Sequence, residues 1–141
     1  MAYMNSIKRF GVSIENNLID KFDKYIKSKN YTNRSEALRD LIRKELVGEE
    51  WLQLDKNAAG AIVLVYDHHK RELADSLIDI QHDYHKIIVS TQHIHLDRRI
   101  CLEIVVVKGK INEIYQLESR LKSTKGVKHV SLSKSTLAEE I

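Results

Sequence analysis

Gln81-His82-Asp83-Tyr84-His85-Lys86-Ile87-Ile88-Val89-Ser90-Thr91-Gln92-His93-Ile94-His95-Leu96-Asp97-Arg98-Arg99-Ile100-Cys101 is the stretch on which this sequence turns. Four of the chain's seven histidines and its only cysteine fall inside it. The apolar run from Lys86 to Leu96 predicts a strand, and on a strand alternate residues share a face. His93 and His95 therefore point the same way, about 7 Å apart. A short turn through Leu96–Ile100 brings Cys101 back beside them. Two imidazoles and a thiolate make a borderline-soft donor set, suited to a late transition metal.

Working outward, the elements around this stretch predict one small α+β unit. Ala61–Tyr66 reads as a buried strand. A helix follows from about Lys70 to His82, with Leu73, Leu77, Ile78 and Ile80 at inward positions. Lys86–Leu96 and Cys101–Lys108 are the next two strands, and Gly109 marks a turn. A second helix buries Ile111, Ile114, Tyr115, Leu117 and Leu121, Gly126 ends it, and Val127–Leu132 is the last strand. The order βαββαβ is the ferredoxin-like plan. Residues 135–141 are expected to fray.

The amino-terminal third has a different grammar. Met1–Ser6 carries no pattern and reads as a tail. Phe10, Val12 and Ile14 alternate with Arg9, Gly11 and Ser13, which predicts a half-buried strand. A helix is expected from Asn16 to about Ser28, with Leu18, Phe22, Tyr25 and Ile26 at helical spacing. Asn33 then serves as an N-cap with Glu36 three residues on, and Ala37, Leu38, Leu41, Ile42 and Leu46 form the next apolar stripe until Gly48. One strand and two helices cannot close a core alone, so two copies are expected to pair their strands and interlock their helices. Such a ribbon fits the major groove of double-stranded DNA, with Arg9, Gly11 and Ser13 facing outward. Asn33, Arg34 and Ser35 present a helix start to phosphate. A protein–protein dimerisation module is equally compatible with the pattern. The resulting division is 1–48 for the strand-helix-helix domain, 49–59 for a linker containing Trp51, and 60–134 for the ferredoxin-like domain.

Composition agrees with this division. The 141 residues are 43% hydrophobic and 30% charged, enough for a core and a soluble surface. No apolar run approaches the roughly 20 residues of a membrane span, and no secretory leader is apparent. One cysteine makes no internal disulfide framework, which points to a reduced, cytoplasmic setting. The formal charge is +3, but residues 1–47 hold ten Lys/Arg against six Asp/Glu while the remainder is slightly acidic. That asymmetry favours nucleic acid as a partner for the first third alone.

The strand Arg9–Ile14, the segment Asn33-Arg34-Ser35-Glu36-Ala37-Leu38-Arg39-Asp40, and Gln81-His82, His93-Ile94-His95 and Cys101-Leu102-Glu103 together resemble the nickel-responsive transcriptional regulators. The resemblance runs from about Ile7 to Leu132. It implies a ribbon-helix-helix DNA-binding domain followed by a ferredoxin-like, ACT-type domain that binds nickel and forms a homotetramer, a dimer of dimers. It further implies one Ni(II) per subunit, held by His93, His95 and Cys101 of one chain and His82 of a neighbour. This tetragonal three-nitrogen, one-sulfur set suits Ni(II) or Cu(II) better than tetrahedral Zn(II). Lys70 and Arg71 would contact DNA phosphate, and Glu36 and Asp40 would help hold a second cation. The implied function is repression of nickel-uptake genes when nickel is plentiful, with operator DNA as the partner.

Two positions depart from the family pattern. Gly11 removes a side chain from the middle readout position, and Arg98-Arg99 stands where relatives often carry acidic or histidine residues. His68, His69, His85 and His129 are expected to cap or pack without a metal role. Other readings are an ACT-like sensor of a small molecule, a regulator responding to another transition metal, or an enzyme with Cys101 as nucleophile. The enzyme reading finds no phosphate loop, oxyanion turn or carboxylate pair in the chain.

Overall fold

The computed structural model describes residues 6–139 and 141. The chain separates into two compact units between Ile42 and Arg43. In the first unit, α1 spans Asn16–Ser28, and α2 begins at Arg34 and runs to Glu50 in the second. The Asn33 side-chain oxygen accepts the Glu36 amide at 2.8 Å, the expected N-cap. Glu36 does not return the bond to the cap backbone; its carboxylate accepts the Thr32 hydroxyl instead. Helix α2 does not stop at Gly48, because nothing crowds that position and the helix continues with two glutamates.

The strand expected over Arg9–Ile14 is not formed within the single chain. Phe10 is 73% exposed and Val12 61%. A strand exists only as part of a ladder, and among the described residues no other segment of this unit offers one. The alternation is present in the sequence, but no strand partner for it occurs among the described residues. The amino-terminal tail expected at Met1–Ser6 lies almost wholly outside the described residues.

The second unit has the expected order. Strands β1 (Asn57–Asp67), β2 (Ile88–His95), β3 (Ile100–Lys110) and β4 (Val127–Lys134) form one antiparallel sheet in the order β2-β3-β1-β4. Helices α3 (Arg71–Asp83) and α4 (Ile111–Ser123) connect them. Ile62, Leu64, Val105 and Val107 from the sheet pack with Leu77, Ile114, Leu117 and Leu121 from the helices. The alternate residues Ala61, Val63, Val65, Leu102 and Ile104 stay only half-buried, so one sheet face is apolar and partly open.

Two glycine or linker readings differ from the structure and one agrees. β1 begins at Asn57, so part of the supposed linker is sheet. Gly109 lies within β3 rather than in a turn, where a Cβ would sit 2.5 Å from Ile87 Cγ2. Close approach, not chain reversal, demands glycine there. Gly126 does make a turn, at φ +97°.

The linker and tail are also tied down. Trp51 is 1% exposed, stacks edge-on with Tyr115 at 5.7 Å, and donates its indole N–H to the Ser135 carbonyl at 2.7 Å. Ser135 N–H reaches Ala59 O, and the Thr136 hydroxyl reaches Glu50. The start of the expected frayed tail is therefore held against the end of α2. Trp51→Ala should cost about 3–5 kcal/mol in denaturant unfolding of the second unit; a loss under about 1 kcal/mol would show that the indole is not part of its core.

Candidate metal centre

The sheet register assembles the site. On β3, Cys101 and Glu103 share a face. Cys101 pairs directly with His95 on β2 and with Tyr66 on β1, while Glu103 pairs with His93 and Leu64. All six side chains are thereby delivered to one face of the sheet, the same face that buries Ile62 and Val105. The hairpin turn is set by Asp97, whose side chain accepts the Arg99 and Ile100 amides, each at 2.7 Å.

Cys101 is fully buried, with its Sγ 3.4 Å from His95 Nδ1. Its nearest imidazole is one the sequence reading set aside. His68 Nδ1 lies 3.1 Å from Sγ, and ligand atoms of His68, His95 and Cys101 lie within 4.8 Å of one another. His68 follows the end of β1, two residues after Tyr66, so it continues the face that carries Tyr66. Its backbone is pinned by a bond from His68 N–H to Arg99 O at 2.9 Å. The signal in the sequence was position: a histidine at the end of the central strand that pairs with the cysteine's own strand. That pairing is a tertiary fact, and no spacing rule within residues 81–101 contains it.

His93 is close by but differently engaged. Its ring centroid is 5.2 Å from that of His95, and its Nδ1 faces the Tyr66 hydroxyl at 3.2 Å. His82 lies exposed near the end of α3 and is not among the donors gathered in one chain. His85 Nδ1 meets the His82 carbonyl at 2.9 Å, and His69 Nε2 meets Arg98 O at 2.6 Å.

Electrostatics tune the centre. Burial, followed by the Glu103, Asp97 and Asp67 charges, pushes the Cys101 thiol above its ordinary value. A thiol raised from its ordinary value stays protonated at neutral pH unless a metal displaces the proton. Asp67, only 2% exposed, accepts Arg99 Nε and Nη2 at 3.2 and 2.7 Å and the His69 amide at 3.0 Å. Those bonds, Arg99 first, hold its carboxyl below the usual range. The Arg98-Arg99 pair thus splits its work. Arg99, in the turn that leads into Cys101, pairs with Asp67 at the end of β1 beside His68, while Arg98 remains exposed.

The other expected contact residues sit as follows. Lys70 and Arg71 are exposed at the start of α3. Arg9, Gly11 and Ser13 are exposed on the unpaired segment. Arg34 makes a two-pronged pair with Asp23, both contacts at 2.8 Å, which holds the Asp23 carboxyl low. Asn33 is used as a cap, and Ser35 is exposed. Asp40 accepts the Tyr31 hydroxyl, which pushes that phenol up to about 12, so both expected second-cation carboxylates already have a hydroxyl partner.

Both parts of the chain are similar to known proteins. Residues 59–135 match the family described as the NikR C terminal nickel binding domain. Residues 8–48 match the family described as ribbon-helix-helix protein, copG family. A protein of Syntrophus aciditrophicus is 57% identical over 136 residues, covering 96% of this chain and 98% of its own. One of Chlorobium phaeobacteroides is 53% identical over 133 residues, covering 94% and 98%. Both relatives carry the name of nickel-responsive regulators. An uncharacterized protein of Thermotoga maritima shares the fold over 55% of this chain and 95% of its own, with TM-score 0.50 and 14% identity.

The Asp67–Arg99 pair gives a pH signature. A carboxyl held low lends stability that is present above about 3.9 and disappears as pH falls through its folded value. Arg99→Ala should therefore be less stable than the parent at pH 7, with the difference shrinking toward pH 2–3 in urea titrations of metal-free protein. A difference that is constant across that range would remove the pair as its cause.

Proposed function

This chain belongs to the family of nickel-responsive ribbon-helix-helix regulators, and we propose that it binds operator DNA as a homotetramer that represses nickel-uptake genes when loaded with nickel. It is a nickel-dependent transcriptional regulator, and its family is one of DNA-binding proteins rather than enzymes. The observation that carries the metal reading is the His95–Cys101 pair across β2 and β3, with an imidazole nitrogen 3.4 Å from a buried sulfur.

The proposed ligands are His93, His95 and Cys101 of one chain and His82 of a neighbouring chain. A divalent nickel ion, when bound, supplies a Lewis-acid centre that accepts these lone pairs and the thiolate charge. The chain's own residues do the rest. Cys101 must give up its proton, so loading becomes weaker as pH falls. His82 projects from the end of α3 into solvent, where a second ligand unit can meet it. The half-open apolar face of Val63, Val65, Leu102 and Ile104 favours docking of a further copy. Four subunits then carry two DNA-binding pairs, each completed when two Arg9–Ile14 segments form the ribbon that one chain lacks.

On DNA, Arg9 and Ser13 would address base edges, with Gly11 between them offering only backbone. Arg34, Asn33 and Ser35 would meet phosphate at the start of α2, and Lys70 and Arg71 at the start of α3. The exposed Asp23 holds Arg34 weakly enough to be exchanged for a phosphate. Glu36 and Asp40 remain the proposed carboxylates for a second cation.

The 3.1 Å contact between His68 and Cys101 favours a second reading. In it, one chain holds the metal through His68, His95 and Cys101, and His82 has no part. The two readings differ in a single experiment. Nickel should tighten operator binding by the parent and by His68→Ala but leave His93→Ala and His82→Ala unresponsive, as read by DNA titration with and without Ni(II). The reverse ranking would favour the single-chain site, and equal response by all variants would remove these histidines altogether. Separately, Arg9→Ala should cost about 1–3 kcal/mol on the cognate operator and relax discrimination at one base pair. Uniform weakening on all sequences would make Arg9 a phosphate contact.

A further inference from the structure

Glu103 is a carboxylate with an unusual set of neighbours. It is only 7% exposed, yet no lysine or arginine pairs with it among the described residues. Its partners are neutral: Tyr66 donates its hydroxyl at 2.9 Å to one oxygen, and Gln81 donates its amide at 2.8 Å to the other. The nearest potential cation is His93, with Nδ1 3.9 Å away. A buried charge with no counter-charge costs stability, and an apolar side chain at this core position would avoid that cost. A carboxylate placed there calls for a task.

The hydrogen-bond directions indicate the task. The Tyr66 hydroxyl donates its proton to Glu103 at 2.9 Å. The Tyr66 oxygen can then only accept from His93, which puts the imidazole proton on Nδ1 and leaves the Nε2 lone pair free. On its other side, Glu103 holds Gln81, the residue next to His82 in the last turns of α3. We propose that Glu103 is a positioning residue of the metal centre, fixing the His93 tautomer through Tyr66 and the His82-bearing turn through Gln81.

This rests on the ligand set proposed above and extends it. The ligand supplied within a chain and the ligand offered to a neighbour are steered by one carboxylate, so the two halves of a shared site are set together. Glu103 also places one negative charge beside the donors. A divalent ion with one thiolate leaves a residual positive charge, which that carboxylate offsets; a monovalent ion with the same thiolate leaves none. The centre is thereby biased toward divalent ions over Cu(I).

The test uses the full-length protein with Glu103→Gln and, because that change could upset the core, Tyr66→Phe, which removes one hydroxyl and keeps the ring. Nickel affinity is read by competition with a chelator, and the His93 tautomer by nitrogen-15 NMR of metal-free protein. Both variants should bind Ni(II) about 10–100-fold more weakly, and Tyr66→Phe should lose the Nδ1–H tautomer of His93. Cu(I) affinity of Glu103→Gln should fall much less than its Ni(II) affinity. Unchanged nickel affinity in Tyr66→Phe with an unchanged His93 signal overturns the proposal, as does an equal loss for both ions in Glu103→Gln. If the parent protein itself shows no thiolate-to-nickel absorption, the ligand set has failed, and that result is separate from either of these.

Discussion

The register between β2 and β3 is the constraint on which the rest depends. His95 stands opposite Cys101, and Cys101 stands opposite Tyr66. Because side chains alternate with period two, a slip of one residue would send the histidines and the cysteine to opposite faces of the sheet. The register is held at both ends. Val105 and Val107 must point into the helix-covered core, and the Asp97 side chain closes the hairpin on the Arg99 and Ile100 amides. Core packing and metal chemistry therefore use the same alternation, and neither can change without the other.

Around that register the protein places charges rather than a cavity. Three buried or part-buried groups, Asp67, Glu103 and the Cys101 thiol, sit within one end of the sheet. Asp67 is neutralised by Arg99. Glu103 is met only by neutral donors, and the thiol is held protonated by burial and by these same carboxylates. Imidazole nitrogens, a sulfur and a carboxylate gathered at one end of the sheet are donors that suit a metal cation. The amino-terminal unit is open in another sense: its apolar alternation at Phe10, Val12 and Ile14 stays exposed, and no described residue pairs with it as a ladder.

How much of this was legible in the sequence differs by level. The βαββαβ order was readable from alternating apolar periods and glycine punctuation, and Asn33 capped the helix where its side-chain chemistry required. Boundaries were less legible where tertiary contacts override local signals. Gly109 looked like a turn but is a point of close approach to Ile87, and Trp51 looked like linker but fills a hydrophobic pocket beside Tyr115. The pairing of His95 with Cys101 followed from strand and turn lengths. His68 did not, because its closeness to Cys101 arises from β1 lying between β3 and β4, and sheet order is not written in any local pattern. The Arg9–Ile14 segment shows the converse case, a strand pattern visible in sequence that finds no partner among the described residues.

The central claim is that two polypeptides share one centre, and subunit mixing tests it most directly. Cys101→Ala and His82→Ala chains are prepared separately, exchanged under mild denaturant and refolded together with Ni(II). The account predicts no thiolate-to-nickel charge-transfer absorption from the first chain and a weak, altered band from the second. In the mixture a parent-like band should be regained, since one chain still offers Cys101 with His93 and His95 and the other still offers His82. A full parent band from His82→Ala alone, or no recovery in the mixture, would contradict it.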